Sequence, residues 1–422
     1  MGYERRNVME KKSLLCLSKF FFLSLLLLNL SIKIPYVVAA QEKGGPIRLG
    51  INTELTGAVS EASTNLKMGY ELYLQEIGYK VAGREIKVIE YDNKTDYKIA
   101  MEVAQKLVEK DNVHILGFGT STGAAIAIRG YAEKMKVPFV VLGLAGGEQV
   151  TLPPLKYTFR LSYADGQAEI PLGRYAYEKL GYRKMVLMGP DYAGSTGKLW
   201  AFRQEFEKSG GKIVQTILWS LGEMDLAPYF AQLKPDFDAI FPFIPGDISI
   251  NRFLSQYFEM QLDKKGKKLC THWTMTEDYL PLQTFGEKML GIISVAPYNL
   301  SLDTPENKHY TDLYYAKYGK KKLPNDQSTF GYESMKFLCT ALTTIKGNVE
   351  DTEAFLKAMH ETKIKGTCSS SISVDTNGNA IRDFFIREAQ KKDGVVRNVV
   401  LQVFPQVRQP PQGYTLMPGK GK

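Results

Sequence analysis

The sequence is short of the residues from which reactive and metal-binding sites are built. Four cysteines and four histidines occur among 422 residues. No Cys-x-x-Cys or His-x-x-x-His pair is present, so neither a structural zinc site nor any cofactor is expected. Three of the cysteines (Cys270, Cys339, Cys368) lie beyond residue 40. An odd number leaves at least one free thiol, and a Cys339–Cys368 pair stays open. The phosphate-binding pattern G-x-x-x-x-G-K-[ST] is missing, because no lysine follows Gly123. Gly117-x-Gly119 lacks the third glycine of a dinucleotide fingerprint, with Thr122 in its place.

Long apolar runs are scarce too. The one prominent run, FFFLSLLLL at 20–28, follows Arg5, Arg6, Lys11, Lys12 and Lys19. It is too short to span a bilayer, which takes ~20 apolar residues. Val38-Ala39-Ala40 then supplies the small residues of a cleavage site before Gln41. Residues 1–40 are therefore expected to be a secretory signal peptide cleaved after Ala40, with Met9 as an alternative start. No small residue precedes Cys16, which argues against lipid modification there. Removing this segment takes away six basic and two acidic residues, so the net charge falls from +9 to +5. The remaining lysine clusters, 264–268 and 320–322, lack interleaved aromatics and read as solvated loops. Binding to nucleic acid is not expected.

What the sequence does hold is alternation. Apolar β-rich runs at 46–53, 85–91, 113–118 and 137–143 are separated by amphipathic stretches at 60–77, 97–110 and from 122. A second set follows, with strands at 184–189, 212–219, 238–243 and 291–297 and helices near 197–208 and 248–261. Helices near 306–318, 327–345 and 351–360 precede three strands, 372–374, 381–389 and 396–404. Strand–helix alternation predicts α/β architecture with parallel sheets covered on both faces. The length suits two lobes.

Two loops mark possible sites. GTSTGAA (119–125) and AGSTGKL (193–199) each follow a strand and open a helix. A helix start at a strand's carboxyl end offers free N–H groups and a positive dipole. Gly119-x-Ser121-x-Gly123 also fits the G-x-S-x-G pattern of a serine nucleophile. A hydrolase needs a histidine against that serine. His114 lies seven residues before it, His309 and His360 sit on polar helices, and only His272 is placed near a cleft. An enzyme is the less favoured reading.

The ordered motifs resemble a known family. ELTG (54–57) resembles P-L-T-G, and YDNKTDYKIAMEVAQKLVEKDNV resembles D-D-x-x-D-P-x-x-A…A-x-K-L-V-x-x-D-x-V. YAEKMKVPFV, YTFRLSYADGQ, PDYAGSTGKLWAF and APYNLSLDTPENKHYTDLYYAKYG fall in the family's order, from about Pro46 to Phe404. The chain resembles the leucine/isoleucine/valine-binding family of solute-binding proteins from ABC importers. That resemblance implies a type I periplasmic-binding fold: two Rossmann-like lobes with parallel central sheets, joined by a three-strand hinge and closing over a ligand. It places lobe 1 at 46–161 plus 296–371, lobe 2 at 162–295 plus 372–405, and a flexible tail at 406–422.

It also implies a monomeric periplasmic protein whose partners are a small-molecule ligand and an ABC permease with its ATPases. Ser121 and Thr122, with Thr120 beside them, would hold the ligand carboxylate, or would only cap their helix. Ala145 and Gly146 lie in the next loop, where the family's S-P-x-A-T threonine is replaced by Gly146 or Gly147. Gly194 replaces the tyrosine of A-Y-G, with Tyr192 nearby, and Tyr163 replaces a proline. Trp273 and Glu277 lie in the segment that carries an ammonium-binding acid in close relatives. These departures suggest a flatter pocket for an aromatic carboxylate, an amide or another small organic acid, or else aromatics that only pack at the lobe interface. A soluble sensor serving a separate receptor stays open.

Overall fold

A computed structural model describes residues 44–418. The expected signal peptide and cleavage site lie outside them. The first lobe is built on a six-stranded sheet in the order β2-β3-β1-β4-β5-β6. Its strands are β1 (Ile47–Thr53), β2 (Lys80–Val81), β3 (Arg84–Asp92), β4 (Ile115–Phe118), β5 (Phe139–Val141) and β6 (Thr158–Arg160). All neighbours are parallel except the β2–β3 hairpin. Strands buried on both faces read as unbroken apolar runs. Ile115 and Val140 face the helix α1 (Ser60–Glu76), while Leu116, Phe139 and Val141 pack among α2 (Tyr97–Gln105) and α3 (Thr122–Met135).

The second lobe holds the remaining strands. They are β7 (Lys184–Pro190), β8 (Lys212–Trp219), β9 (Ala239–Pro242), β10 (Lys268–His272), β11 (Ile293–Ala296), β12 (Ser373–Val374), β13 (Ala380–Lys392) and β14 (Val395–Val407). β8-β7-β9-β10-β11 run parallel, β13 pairs antiparallel with β11, and β12 and β14 pair antiparallel with β13. The lobe's longer helices are α4 (Glu169–Glu178), α5 (Ala193–Lys208) and α6 (Asp247–Glu259), with short ones at Ala227–Phe230 and Pro281–Phe285. Three more helices, α7 (Pro305–Tyr318), α8 (Asp326–Thr344) and α9 (Thr352–Glu361), return to the first lobe. α8 crosses α1 where two glycines meet it. A Cβ on Gly69 would lie 1.8 Å from the Ser328 carbonyl oxygen, and one on Gly331 2.1 Å from that of Leu66.

The chain therefore passes between the lobes three times: after β6, after β11 and before β12. Buried polar groups tie these passages together. Arg382 on β13 pairs with Glu333 of α8 and donates to the Ser162 carbonyl at 3.2 Å. The Gln167 side chain donates to the carbonyls of Ala380 and Val407, at 2.9 and 2.7 Å. The segment expected to be a flexible tail has specific partners as far as it is described. Gly413 N–H donates to Glu148 at 2.7 Å, and Thr415 donates to the same carboxylate through its N–H (3.0 Å) and hydroxyl (2.7 Å). Tyr414 rests on α5, where its hydroxyl donates to Glu205 at 3.3 Å. Cys270, Cys339 and Cys368 are all buried free thiols, so the Cys339–Cys368 pair is not formed.

Candidate functional site

Contacts of Tyr163 and Trp273 with Phe330 and Asp326 of α8 form a seam between the lobes. Ser121 is the N-cap residue of α3, with extended backbone, yet its side chain makes no capping bond. Its hydroxyl therefore remains available. Thr120 is different. Its N–H and hydroxyl donate to Glu54 Oε2 at 3.0 and 3.2 Å, and the Ser121 N–H donates to Glu54 Oε1 at 3.0 Å. The amides expected to hold a ligand's carboxylate already hold one from the chain.

The loop after β5 is shaped by a buried arginine. Arg160 donates to the carbonyls of Ala145 (2.9 Å) and Gly147 (2.8 Å) and to Asn379 Oδ1 (2.6 Å). Burial lowers its pKa to about 10. The glycines that stand where the resemblance calls for threonine have a steric reason. A Cβ on Gly146 would sit 2.2 Å from Asp165 Oδ1, and one on Gly147 2.5 Å from the Thr122 methyl. Ala145 is buried and contributes its carbonyl to Arg160 rather than a group facing the seam.

Tyr163 is the hub of an aromatic cluster. It stacks on Phe330 (centroids 5.8 Å, planes 15° apart) and meets the edge of Trp273 at 5.0 Å. Trp273 stacks on His272 at 3.5 Å, and its Nε1 donates to Asp326 Oδ2 of α8 at 2.7 Å. Tyr163 and Trp273 thus pack at the lobe interface. Tyr192 lies back over the start of α5, where its ring fills the space a side chain at Gly194 would need.

Charge collects along this seam. Lys198 of α5 is buried and donates to Asp165 Oδ1 at 2.5 Å and the Gly194 carbonyl at 3.1 Å. Burial opposes its charge, but Asp165, Glu169 and Tyr192 outweigh that and raise its pKa. Glu169 is wholly buried, which lifts its pKa to about 7 against the pull of Lys198. Its Oε1 has no hydrogen bond and lies 3.7 Å from His272 Nε2, which also has none. Burial, with Lys198 and Arg387, holds His272 well below the usual histidine range, so this contact is not an ion pair. Burial and neighbouring Asp326 raise Glu277, and burial lifts Asp326 to about 6.

Among the described residues no hydrogen bond joins Ser121 to a histidine. His114 is turned to the Arg48 N–H, which it accepts at 2.9 Å. No group of three or more metal-ligating side chains occurs among the described residues. Glu54, Asp165, Glu169, Lys198 and Asp326 escaped the sequence reading. Local signals existed for three of them: Glu54 opens ELTG, Asp165 stands in YTFRLSYADGQ, and Lys198 is a lysine inside the small-residue loop AGSTGKL.

Comparison with known proteins accounts for this arrangement. The sequence pattern of the family described as periplasmic binding protein matches residues 46–394. An ABC transporter substrate-binding protein from Sphaerobacter thermophilus is 30% identical and superposes with a TM-score of 0.81, over 86% of this chain and 99% of that one. A solute-binding protein of an ABC transporter from Rhodopseudomonas palustris, solved in complex with 3,4-dihydroxybenzoic acid, is 28% identical, with a TM-score of 0.79 over 86% and 99% of the two chains. A Leu/Ile/Val-binding protein homolog 6 from Brucella suis is 26% identical over 364 residues, 85% of this chain and 91% of that one. Two α/β lobes meeting at a buried polar seam are thus the frame of a ligand carrier rather than an enzyme, and the chain belongs to the periplasmic binding protein family, whose members are extracytoplasmic substrate-binding proteins of ABC transporters.

Proposed function

We propose that this protein captures a small aromatic or related organic acid between its lobes and delivers it to the permease and ATPases of an ABC importer of the branched-chain amino acid type. One observation carries the reading: Asp165, Glu169, Lys198, Glu277 and Asp326 are buried together at a seam rimmed by Tyr163, Trp273 and Phe330. Buried titratable groups are costly in a merely structural interface and gather where a ligand is bound. Aromatic rings beside them suit a planar molecule. In this reading Ser121, Thr122 and Tyr192 line the ligand with Trp273 and Glu277, while Ala145 and Gly146 shape the loop behind it. The 3,4-dihydroxybenzoic acid bound by the Rhodopseudomonas palustris relative supports the class.

Isothermal titration of the purified protein with 3,4-dihydroxybenzoate, benzoate and leucine tests it. Saturable binding of a benzoate near micromolar, about −8 kcal/mol, is expected. Leucine binding more tightly than either benzoate would overturn the ligand class. Uptake of the bound compound that depends on this protein would establish delivery. A second reading rests on Glu277, a buried carboxylate close to Asp326. That group would receive the ammonium of an amino acid.

A further inference from the structure

The loop ahead of α3 forms an anion seat, and the chain fills it. Glu54 is fully buried. Its Oε2 accepts from the Thr120 N–H, the Thr120 hydroxyl and the Ser63 hydroxyl, at 3.0, 3.2 and 3.0 Å; its Oε1 accepts from the Ser121 N–H at 3.0 Å. Every contact donates toward the carboxylate. The seat is also tight: a Cβ on Gly119 would lie 2.2 Å from Glu54 Oε2. In the motif that ELTG resembles, proline stands at this position, so the carboxylate is a property of this chain.

A second carboxylate brought to the same donors would meet like charge at close range, and one of the two would have to be neutral. The second lobe offers a different partner. An ammonium has three donors. Two of those on Lys198 go to Asp165 and the Gly194 carbonyl, and the third has no acceptor among the described residues. Its Nζ lies 4.7 Å from the centre of the Phe243 ring and 5.6 Å from that of Tyr163, so the spare donor is buried among the aromatics of the seam.

We infer that Glu54 is a specificity-determining residue, a built-in anion that closes the first-lobe seat to a ligand's carboxylate and leaves Lys198 to receive it. The second half of this inference rests on the proposed organic-acid ligand; the first half does not. In the ligand-bound protein the acid group points toward α5, and the hydroxyls of Ser121 and Thr122 meet the other end of the molecule.

The test uses the full mature chain and three probes: formate, benzoate and benzamide. Formate is small enough to take the place of a missing carboxylate. In thermal-shift titrations, Glu54→Ala should gain a saturable stabilisation by formate that the unsubstituted protein lacks. Glu54→Ser, which also empties the seat, is the second variant should the first fail to fold, and should show the same gain. Folded variants indifferent to formate would overturn the seat. In calorimetry, the unsubstituted protein and Glu54→Gln should both prefer benzoate to benzamide. Lys198→Met should lower that preference at least tenfold, while its response to formate stays that of the unsubstituted protein. A preference unchanged in Lys198→Met but abolished in Glu54→Gln would overturn the assignment to Lys198. If the unsubstituted protein binds neither aromatic probe, the organic-acid reading fails, and the formate titration still rules on Glu54.

Discussion

Replacing Glu169 by glutamine should make the protein more stable at high pH and remove part of its pH dependence. Glu169 starts α4 and is wholly buried. One carboxylate oxygen accepts the Gly166 N–H at 2.8 Å, and the other has no donor. Burial lifts its pKa from 4.5 to about 7, with Lys198 only partly offsetting the effect. In the unfolded chain the group ionises near 4.5. Between these values the folded protein holds a proton that the unfolded chain has lost, so stability falls as pH rises. At about 1.36 kcal/mol per pH unit the loss between pH 4.5 and 7 is ~3 kcal/mol. Below pH 4.5 both states are protonated and no contribution is lost.

Glutamine keeps the shape and the acceptor for Gly166 but has no charge to bury. Urea denaturation of the ligand-free protein and of Glu169→Gln, at pH 5 and pH 8, reads the difference directly. The variant should gain on the unsubstituted protein by ~3 kcal/mol between the two pH values. Asp326 and Glu61, which burial also raises, to about 6 and about 7, titrate in both proteins and cancel to first order. A stability difference that is the same at both pH values would refute the argument. So would a variant that loses ground at pH 8, since that would mean Glu169 is stabilised in its ionised form.

Further expectations concern packing and the seam. Gly69→Ala should cost about 3 kcal/mol, because its Cβ would press on the Ser328 carbonyl at the α1–α8 crossing; an unchanged melting temperature would show that the helices separate freely. Trp273→Phe removes the indole donor from Asp326 and should cost about 2 kcal/mol. Because that bond helps to hold Asp326 down, the deficit in urea midpoint should be larger at pH 8 than at pH 5. Ser121→Ala should weaken the ligand by ~1–2 kcal/mol in calorimetry and leave the empty protein's melting temperature unchanged, since its hydroxyl caps nothing. An equal loss in both would assign Ser121 to structure alone.

Much of the architecture was legible because it is written in local pattern. The run KMVLMG is buried on both faces, so its apolar character is continuous and marks a parallel strand directly. The amphipathic stripe of Ser60–Ile77 and the small-residue loop before Thr122 located α1 and α3 to within a residue or two. Short strands left less trace. β6 is three residues long, and β10 runs into the Trp273 turn, so neither shows a period of its own.

Side-chain partners were not legible in the sequence. The sequence alone determined that two small-residue loops would stand at strand ends, and which aromatics lie near them. It also determined that the family threonine is absent at Gly146 and Gly147. It did not tell that Asp165 and the Thr122 methyl fill the space, or that Glu54, 66 and 67 residues before Thr120 and Ser121, would supply the anion their amides bind. Nor did it pair Lys198 with Asp165, or Trp273 with Asp326 on a helix that returns from the other lobe. Secondary structure follows from periods of two and 3.6 residues, which any short window contains. Which carboxylate meets which donor depends on where the chain's three passages between the lobes bring distant segments together, and only the tertiary structure decides that.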